Sequence, residues 1–481
     1  MSTMPDHPYE SPRRQEVRYW LGLLLLAAIV LLLFCLITGI NLHLPAQFAD
    51  MIEGDAHRPY VTRVLVPSGV RLLAATMPET AQQWLTARAA SFGGAQFTRW
   101  MAAPPAYATE LLYFLLLAYG CLVGFGIGLR KLAEALHFPS ARAISLLGLA
   151  GVSLFLRQGY LYDFSVLLTW TWLFVFAERR RWWGYLAVTA LAALNKETAL
   201  LAPLFWLVYG WSQRKELPFW RVLVAQSAIV GGIWLALRWI FQSNPGDLVE
   251  NHWPMHAQSY LANPWAILTI AGLTLATLVL AWPQAPRLLR SATVLLLPMV
   301  ALYLVSGFPY EMRVFYELYP AGVLFLALAL DALRRRLPPA LSPRLSIGAE
   351  HAFLTITLLV AWTLRIVWLD ILPAQLSLDE TVNALIAGNL SWNSLALYLS
   401  GADGSEPLLP YLLSAVQSIL AENVFALRII NAIAGVAAVA LLYCLTRDLT
   451  SPRIAQQARR PGAAALCSWQ PLLAAMTLAT A

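Results

Sequence analysis

The chain has 481 residues, of which 59% are hydrophobic and only 12% charged, with a mean hydropathy of +0.62. Soluble domains carry roughly 25% charged residues, so a soluble globular protein is excluded. The net charge of +7 does not argue for nucleic-acid binding, because the basic residues sit at the ends of apolar runs and not on one face. The four cysteines, Cys35, Cys121, Cys444 and Cys467, all fall within apolar runs. They read as small buried hydrophobes, with neither a disulfide framework nor metal-ligand spacing.

Long apolar runs recur from end to end. They predict an all-α, polytopic transmembrane protein of about 13 spans with a long first outer loop. Residues 1–18 are polar and carry Arg13, Arg14 and Arg18, which places the N-terminus in the cytoplasm. The first span is 19–40. Its apolar run, Trp20 to Ile40, is too long for a signal-peptide core. Residues 41–106 form the outer loop, with two short helices on the membrane surface. Within it, Ala49 to Pro67 gathers Asp50, Glu53, Asp55, His57, Arg58, Tyr60 and Arg63. Charge is costly near a bilayer, so this cluster points to a site, with a solvated loop as the plain alternative. The second span, 107–129, closes on Arg130 and Lys131. The third is 141–156. The fourth runs from Gln158 to Ala177, with Asp163 near its outer end and Glu178, Arg179, Arg180 and Arg181 at its inner end.

The next apolar run, Trp183 to Trp211, is broken only by Asn195, Lys196 and Glu197. As one helix it would be about 43 Å long, too long for a core of roughly 30 Å. Basic residues flank both ends, so the run is a hairpin with Asn-Lys-Glu at an outer tip sunk partly into the membrane. Later spans are 222–241, 265–282, 291–306 and 317–332, with outer loops 242–264 and 307–316. Arg334 to Arg336 and the prolines that follow make 337–349 a basic, proline-rich linker between a multi-span unit, 1–336, and a second unit, 350–481. The second unit has spans at 351–368 and 424–445, an outer loop at 369–423 and an apolar tail. It reads as the truncated start of another membrane unit. This topology puts most Lys and Arg inside and most Asp and Glu outside. That is the bias of a protein integral to the cytoplasmic (inner) membrane.

With that topology the embedded polar groups converge on the outer side. They are Asp50, Glu53, Asp55, Arg58, Arg63, Arg157, Tyr160, Tyr162, Asp163, Lys196, Glu197, Glu311, Arg313 and Glu317. Such a mixture suits a substrate with a phosphate and a hydroxyl. A cation neutralises the leaving phosphate, and a carboxylate takes the proton from the attacking hydroxyl. Plain readings stand beside this one. Lys196 and Glu197 pair with each other; Asp163 caps its own helix; Arg313 is an interfacial anchor with Tyr310 and Tyr316. His252 and His256 have helical ligand spacing, but Pro254 between them argues against a metal. No metal ligands are assigned and no cofactor is required, although a divalent cation stays open.

Arg365 to Pro373, the run Leu378-Asp379-Glu380-Thr381-Val382-Asn383, Gly404 to Tyr411 and Ala426 to Asn431 together resemble the start of the protein O-mannosyltransferase and aminoarabinose transferase families. These are integral-membrane glycosyltransferases of the C-type (GT-C) fold. The resemblance implies an Asp-Glu pair in a first outer loop, with the Asp as base, which falls on Asp379 beside Glu380. Residues 1–335 resemble the same superfamily more loosely, through Tyr162-Asp163-Phe164, Asn195-Lys196-Glu197-Thr198 and Glu311-Met312-Arg313. They lack a clean Asp-Glu pair, and Glu53-Gly54-Asp55 stands nearest. The base is thus open among Asp50, Glu53 and Asp55, with Asp163 as a further acid.

The expected function is transfer of a sugar from a polyprenyl-phosphate donor to a glycan, lipid or protein acceptor on the extracytoplasmic face. Arg58, Arg63, Arg157, Tyr162, Lys196, Glu197, Glu311 and Arg313 are the expected substrate-binding groups. The alternatives are a transporter or flippase for a lipid-linked or anionic substrate, and a non-catalytic membrane scaffold.

Overall fold

The computed structural model describes residues 12–37, 40, 43–91, 103–156, 159–247, 249–262, 264–308, 311–336, 349–366, 369, 378–390, 408–420 and 423–449. Among these the regular structure is helix alone. Five helices are long and apolar enough to cross a membrane: Arg13–Cys35, Pro105–Ala135, Pro218–Ile240, Arg287–Ser306 and Val424–Cys444. Other expected spans are shorter. The third, for example, is an 11-residue helix, Ala141–Gly151, followed by a 3-10 turn, Val152–Phe155. The chain divides into two compact units, Met1–Gln258 with Gly272–Ser346, and Ser259–Ala271 with Ile347–Ala481. Most of the expected linker, 337–348, lies outside the described residues.

In the first unit, α1 (Pro12–Ile37), α5 (Ala108–Ala135), α6 (Ala141–Gly151) and α7 (Asp163–Glu178) form the central bundle. Between α1 and α5 lie α2 (Phe48–Glu53), α3 (Leu65–Ala74) and α4 (Glu79–Ala90). The close packing is written into α5 as small residues. A Cβ at Gly124, Gly126 or Gly128 would run into Leu168, Leu23 or Thr171 respectively. Small residues of this kind let helix backbones approach where lipid gives no hydrophobic drive to associate.

One end of the bundle is tied by basic residues. Arg130 of α5 bonds Glu16 of α1 at 2.6 Å and Glu134 at 2.7 Å, and its guanidinium lies 4.6 Å over the Tyr19 ring. Arg142 of α6 reaches Glu16 at 2.8 Å. The start of α1, the end of α5 and the start of α6 therefore share one end. The end of α7, with Arg179 to Arg181, returns to it, since Arg179 donates to the carbonyl of Lys131 at 3.5 Å.

The Trp-rich run after α7 folds back on itself. α8 (Trp182–Asn195) stops where Lys196 turns extended, a 3-10 turn (Glu197–Leu201) follows, and α9 (Ala202–Gly210) runs back. Trp206 meets Trp182 at 5.3 Å and Tyr185 at 5.2 Å, and the Tyr209 hydroxyl donates to Glu178 at 2.9 Å. Legs of 14 and 9 residues span about 21 and 14 Å, well short of a bilayer core. The break therefore lies inside the helical layer, where only protein or a wet cavity can satisfy its backbone. Then come α10 (Leu217–Ile240), α11 (Trp253–Ala262), α12 (Pro264–Ala281), α13 (Arg287–Ala292), α14 (Leu296–Ser306) and α15 (Tyr319–Arg336).

In the second unit α16 (Ala349–Ile366) packs on α19 (Val424–Leu449) through Ala361, Val439 and Tyr443. α17 (Leu378–Asn389) and α18 (Leu408–Leu420) join α19 through Ala387, Leu413 and Leu427. Cys35 is buried and Cys121 half-buried, but Cys444 is exposed on α19, so it is not the buried hydrophobe expected from its apolar run; Cys467 lies outside the described residues.

Exposed Glu79 belongs to the end of the bundle opposite Arg180 and Lys215. In a variant without native cysteines, single cysteines at 79 and at 180 or 215 should react with an impermeant thiol reagent from opposite faces of sealed vesicles. Labelling of all three from one face would refute the alternation of helices.

A candidate active-site cleft

The end of the first unit away from Arg130 is organised by the loop after α2. Phe48, Met51 and Ile52 bury one side of that short helix. Gly54 then takes φ +87, a left-handed turn that costs glycine little. The Asp50 carbonyl accepts from the amides of Gly54, Asp55 and Ala56. The loop is pinned to the segment after α10. Asn244 donates to the carbonyls of Gly54 and Ala56 at 2.9 and 3.1 Å, and the Arg58 amide donates to Pro245 at 2.8 Å. The Arg58 guanidinium adds a bond to the Gly246 carbonyl at 2.8 Å. Gly246, at φ +91, lies so close that a Cβ would stand 2.7 Å from the Arg58 carbonyl oxygen.

This anchoring turns Tyr60, Thr62 and Arg63 into the bundle, where three ion pairs follow one another. Arg63 grips Glu197 at 3.2 Å through both Nε and Nη2, donates to the Tyr162 hydroxyl, and lies 4.5 Å over the Tyr162 ring. Lys196 bonds Glu317 at 2.8 Å, and the Thr198 hydroxyl donates to the same carboxylate oxygen. Arg313 bonds Asp163 at 2.9 Å and also Glu311, with its guanidinium 3.9 Å over Tyr160. Asp163 is 4% exposed and Glu317 0%. Removing one member of such a pair strands a buried charge, at a cost of about 3–5 kcal/mol.

Beside these lies a fourth cluster around Glu250. The Tyr60 hydroxyl donates to it at 2.9 Å, and the Nε2 atoms of His43 and His252 stand 3.6 Å from its two oxygens. Nδ1 of His252 lies 3.1 Å from the Ser306 carbonyl. A carbonyl only accepts, so Nδ1 is the donor in that contact. Burial pushes the Glu250 carboxyl up, but the neighbouring His43, the hydrogen bond from Tyr60 and the nearby His252 outweigh this and hold it below its ordinary value. Burial pushes the Tyr60 phenol well up, so it stays a donor.

The expected residues thus separate into groups. Asp163, Glu311, Arg313, Lys196, Glu197, Arg63 and Tyr162 come together in one connected array. Lys196 and Glu197 do not pair with each other; each points to a different element. Asp163 does not cap in the usual sense, because its carboxylate accepts from the Tyr160 amide upstream at 2.9 Å. Arg313 is buried and not an interfacial anchor. Asp50 is half-buried, while Glu53 and Asp55 are exposed. Arg157 and Tyr310 lie outside the described residues. In the second unit Asp379 is exposed in the first turn of α17, and Glu380 pairs with Arg428 at 2.8 Å. His252 and His256 bond to the Ser306 and Gly307 carbonyls. Among the described residues no group of three or more candidate ligands is arranged for a metal ion.

Sequence reasoning missed His43, Glu250, Thr62 and Thr198. The one available signal was Glu250 two residues before His252, in a loop already assigned to the outer side. It also missed the wall of a small open cleft, with a cavity volume of about 30 Å³. Arg58, Thr62 and Glu197 line this cleft together with Trp234, Leu237 and Arg238 of α10. No family model, curated protein or solved structure matches the chain.

The Glu250 cluster has a definite pH sign. Its carboxyl is shifted downward, so its stabilisation is complete above the ordinary carboxylate value of 4.5 and is lost as pH falls through the lowered one. Glu250→Gln should therefore melt earlier than the wild type at pH 7 in detergent, and the gap should narrow as the buffer is taken below pH 4.5. A gap independent of pH would show that Glu250 contributes by shape alone.

Proposed function

We propose that the protein is a membrane glycosyltransferase that moves a sugar from a polyprenyl-phosphate donor to an acceptor on the extracytoplasmic face. In this reading it is a GT-C-like polytopic enzyme of the cytoplasmic membrane, with its N-terminus inside. The observation that carries the reading is the cleft. It joins guanidinium groups and a carboxylate at the end of an apolar helix, directly beside the first loop.

The chemistry asks for little more. The anomeric carbon's bond to the phosphate oxygen breaks, and its bond to the acceptor oxygen forms. The acceptor's proton goes to a carboxylate, and a guanidinium balances the charge left on the phosphate. The base is sought among Asp55, Glu53 and Asp50. Asp55 is the first choice, because it is exposed three residues before Arg58, whose side chain lines the cleft. Glu197 also faces the cleft, but Arg63 holds it, so it suits a hydroxyl-orienting role. The three ion pairs act as the frame that keeps these groups in register. The second unit enters through its resemblance alone, with Asp379 and Glu380 as its expected acids.

One observation favours a second reading. The α8–α9 hairpin is an interrupted helix, with half-buried Lys196 and buried Glu317 paired at the break. Transporters use discontinuous helices of this kind to hold anionic substrates. The readings part on a single assay, transfer of radiolabelled sugar from a polyprenyl-phosphate donor by purified protein in liposomes. Asp55→Asn should lower transfer by about 100-fold or more, the scale of a lost general base, without changing the melting temperature. Full activity in Asp55→Asn, Glu53→Gln and Asp50→Asn alike would remove the first loop from the chemistry.

A further inference from the structure

Two arginines in the cleft differ from the other cations around it. Arg63, Lys196 and Arg313 each face a carboxylate. Arg58 and Arg238 face none among the described residues. Arg58 spends Nη2 on the Gly246 carbonyl, while its Nε is buried without a hydrogen-bond partner. Native structures rarely leave such a donor unmet; the Nε of Arg313 is unmet as well, but its guanidinium already faces two carboxylates. Arg238 sits in the last turn of α10 with its guanidinium 3.7 Å over the Trp234 ring. That stacking fixes the plane of the guanidinium and leaves its N–H edges to be used.

Among the described residues, Glu197 is the one acid on the cleft wall. Arg63 engages it from behind, and the Thr62 hydroxyl lies 3.0 Å from it. The cleft is therefore net positive. Beyond it, α10 exposes Leu235, Trp239 and Ile240, an apolar flank that suits a hydrocarbon chain.

We infer that Arg58 and Arg238 form a binding site for the phosphate of a phosphate ester, with Trp234 and Leu237 as the wall along which an attached apolar chain leaves. Two guanidinium forks need more acceptor oxygens than one carboxylate supplies, and a phosphate ester has them. The inference deepens the transfer reading and rests on it for the donor's class. It keeps Arg58 from the sequence expectation, adds Arg238 and makes Lys196 and Arg313 framework cations.

Binding separates the site from the reaction. The full chain in detergent is titrated by calorimetry with farnesyl phosphate and, separately, with inorganic phosphate. Arg238→Ala should weaken farnesyl phosphate at least tenfold, and more steeply at low salt, with an unchanged melting temperature. Arg238→Lys should recover part of the loss, because it restores charge without the fork. Arg290→Ala, an exposed cation at the other end of the bundle, should bind as the wild type does. Arg58→Ala tests the second fork, and Arg58→Lys covers the chance that the loop needs a cation to fold. Inorganic phosphate binding with the same Arg238 dependence would support the site and identify a free phosphate as the ligand; dependence seen only with farnesyl phosphate would support a lipid-linked one. Equal farnesyl phosphate affinity in wild type and in folded Arg238→Ala would overturn the site. Arg238-dependent binding without sugar transfer would instead leave the site standing and sink the transfer reading.

Discussion

The structure of the first unit depends on one constraint: a charge carried into a helical layer must meet its opposite there. Glu197 stands at the break of a hairpin whose legs are too short to cross a bilayer, and the loop bearing Arg63 comes to it. Lys196, its neighbour, points elsewhere and draws in Glu317 at the entry to α15. Arg313, four residues earlier, closes on Asp163 at the start of α7. Three adjacent pairs thus fix the first loop, the hairpin, α7 and the 311–317 segment against each other. Isolated pairs of this kind contribute little net stability, since desolvation offsets most of the attraction. Their effect is on specificity. Sliding any one element by a residue would strand at least one buried charge.

The tyrosines show how the array tolerates so much charge. Tyr60 and Tyr160 stack in parallel at 5.7 Å, and Tyr162 follows at 5.4 Å. Arg63 and Arg313 lie over these rings. Each guanidinium therefore has an anion at its edge and a π face beneath it, which replaces much of the hydration it gave up. Asn195 and Ser165 close the base of the array with a 2.7 Å hydrogen bond.

Part of this was legible in the sequence. The hairpin follows from an arithmetic conflict: Trp183 to Trp211 is too long for one crossing and basic at both ends. The gathering of polar groups at one end follows from the same count of flanks. The choice of partners was not legible. Lys196 and Glu317 are 121 residues apart, and adjacent Glu197 is the more obvious mate until the extended backbone at Lys196 turns the two side chains apart. Nor could the sequence tell an acid that turns inward from one that stays in solvent. Glu53 and Asp55 lie in the richest polar stretch of the chain and are exposed, whereas Glu250, in a stretch with little to mark it, is held by a tyrosine and two histidines. Composition locates charge, but only packing says which charges are spent.

That distinction bears on how a polar site inside a membrane protein should be read. A cation whose field is cancelled at 3 Å by a carboxylate has little left to offer a ligand, however central its position. A cation held by a ring face or a backbone carbonyl keeps its full charge, because neither partner neutralises it. In this cleft the two kinds stand side by side. The paired cations run through the interior of the fold, and Arg58 and Arg238 stand where it opens. The fold uses up the first set in positioning itself, and the second set is what it presents.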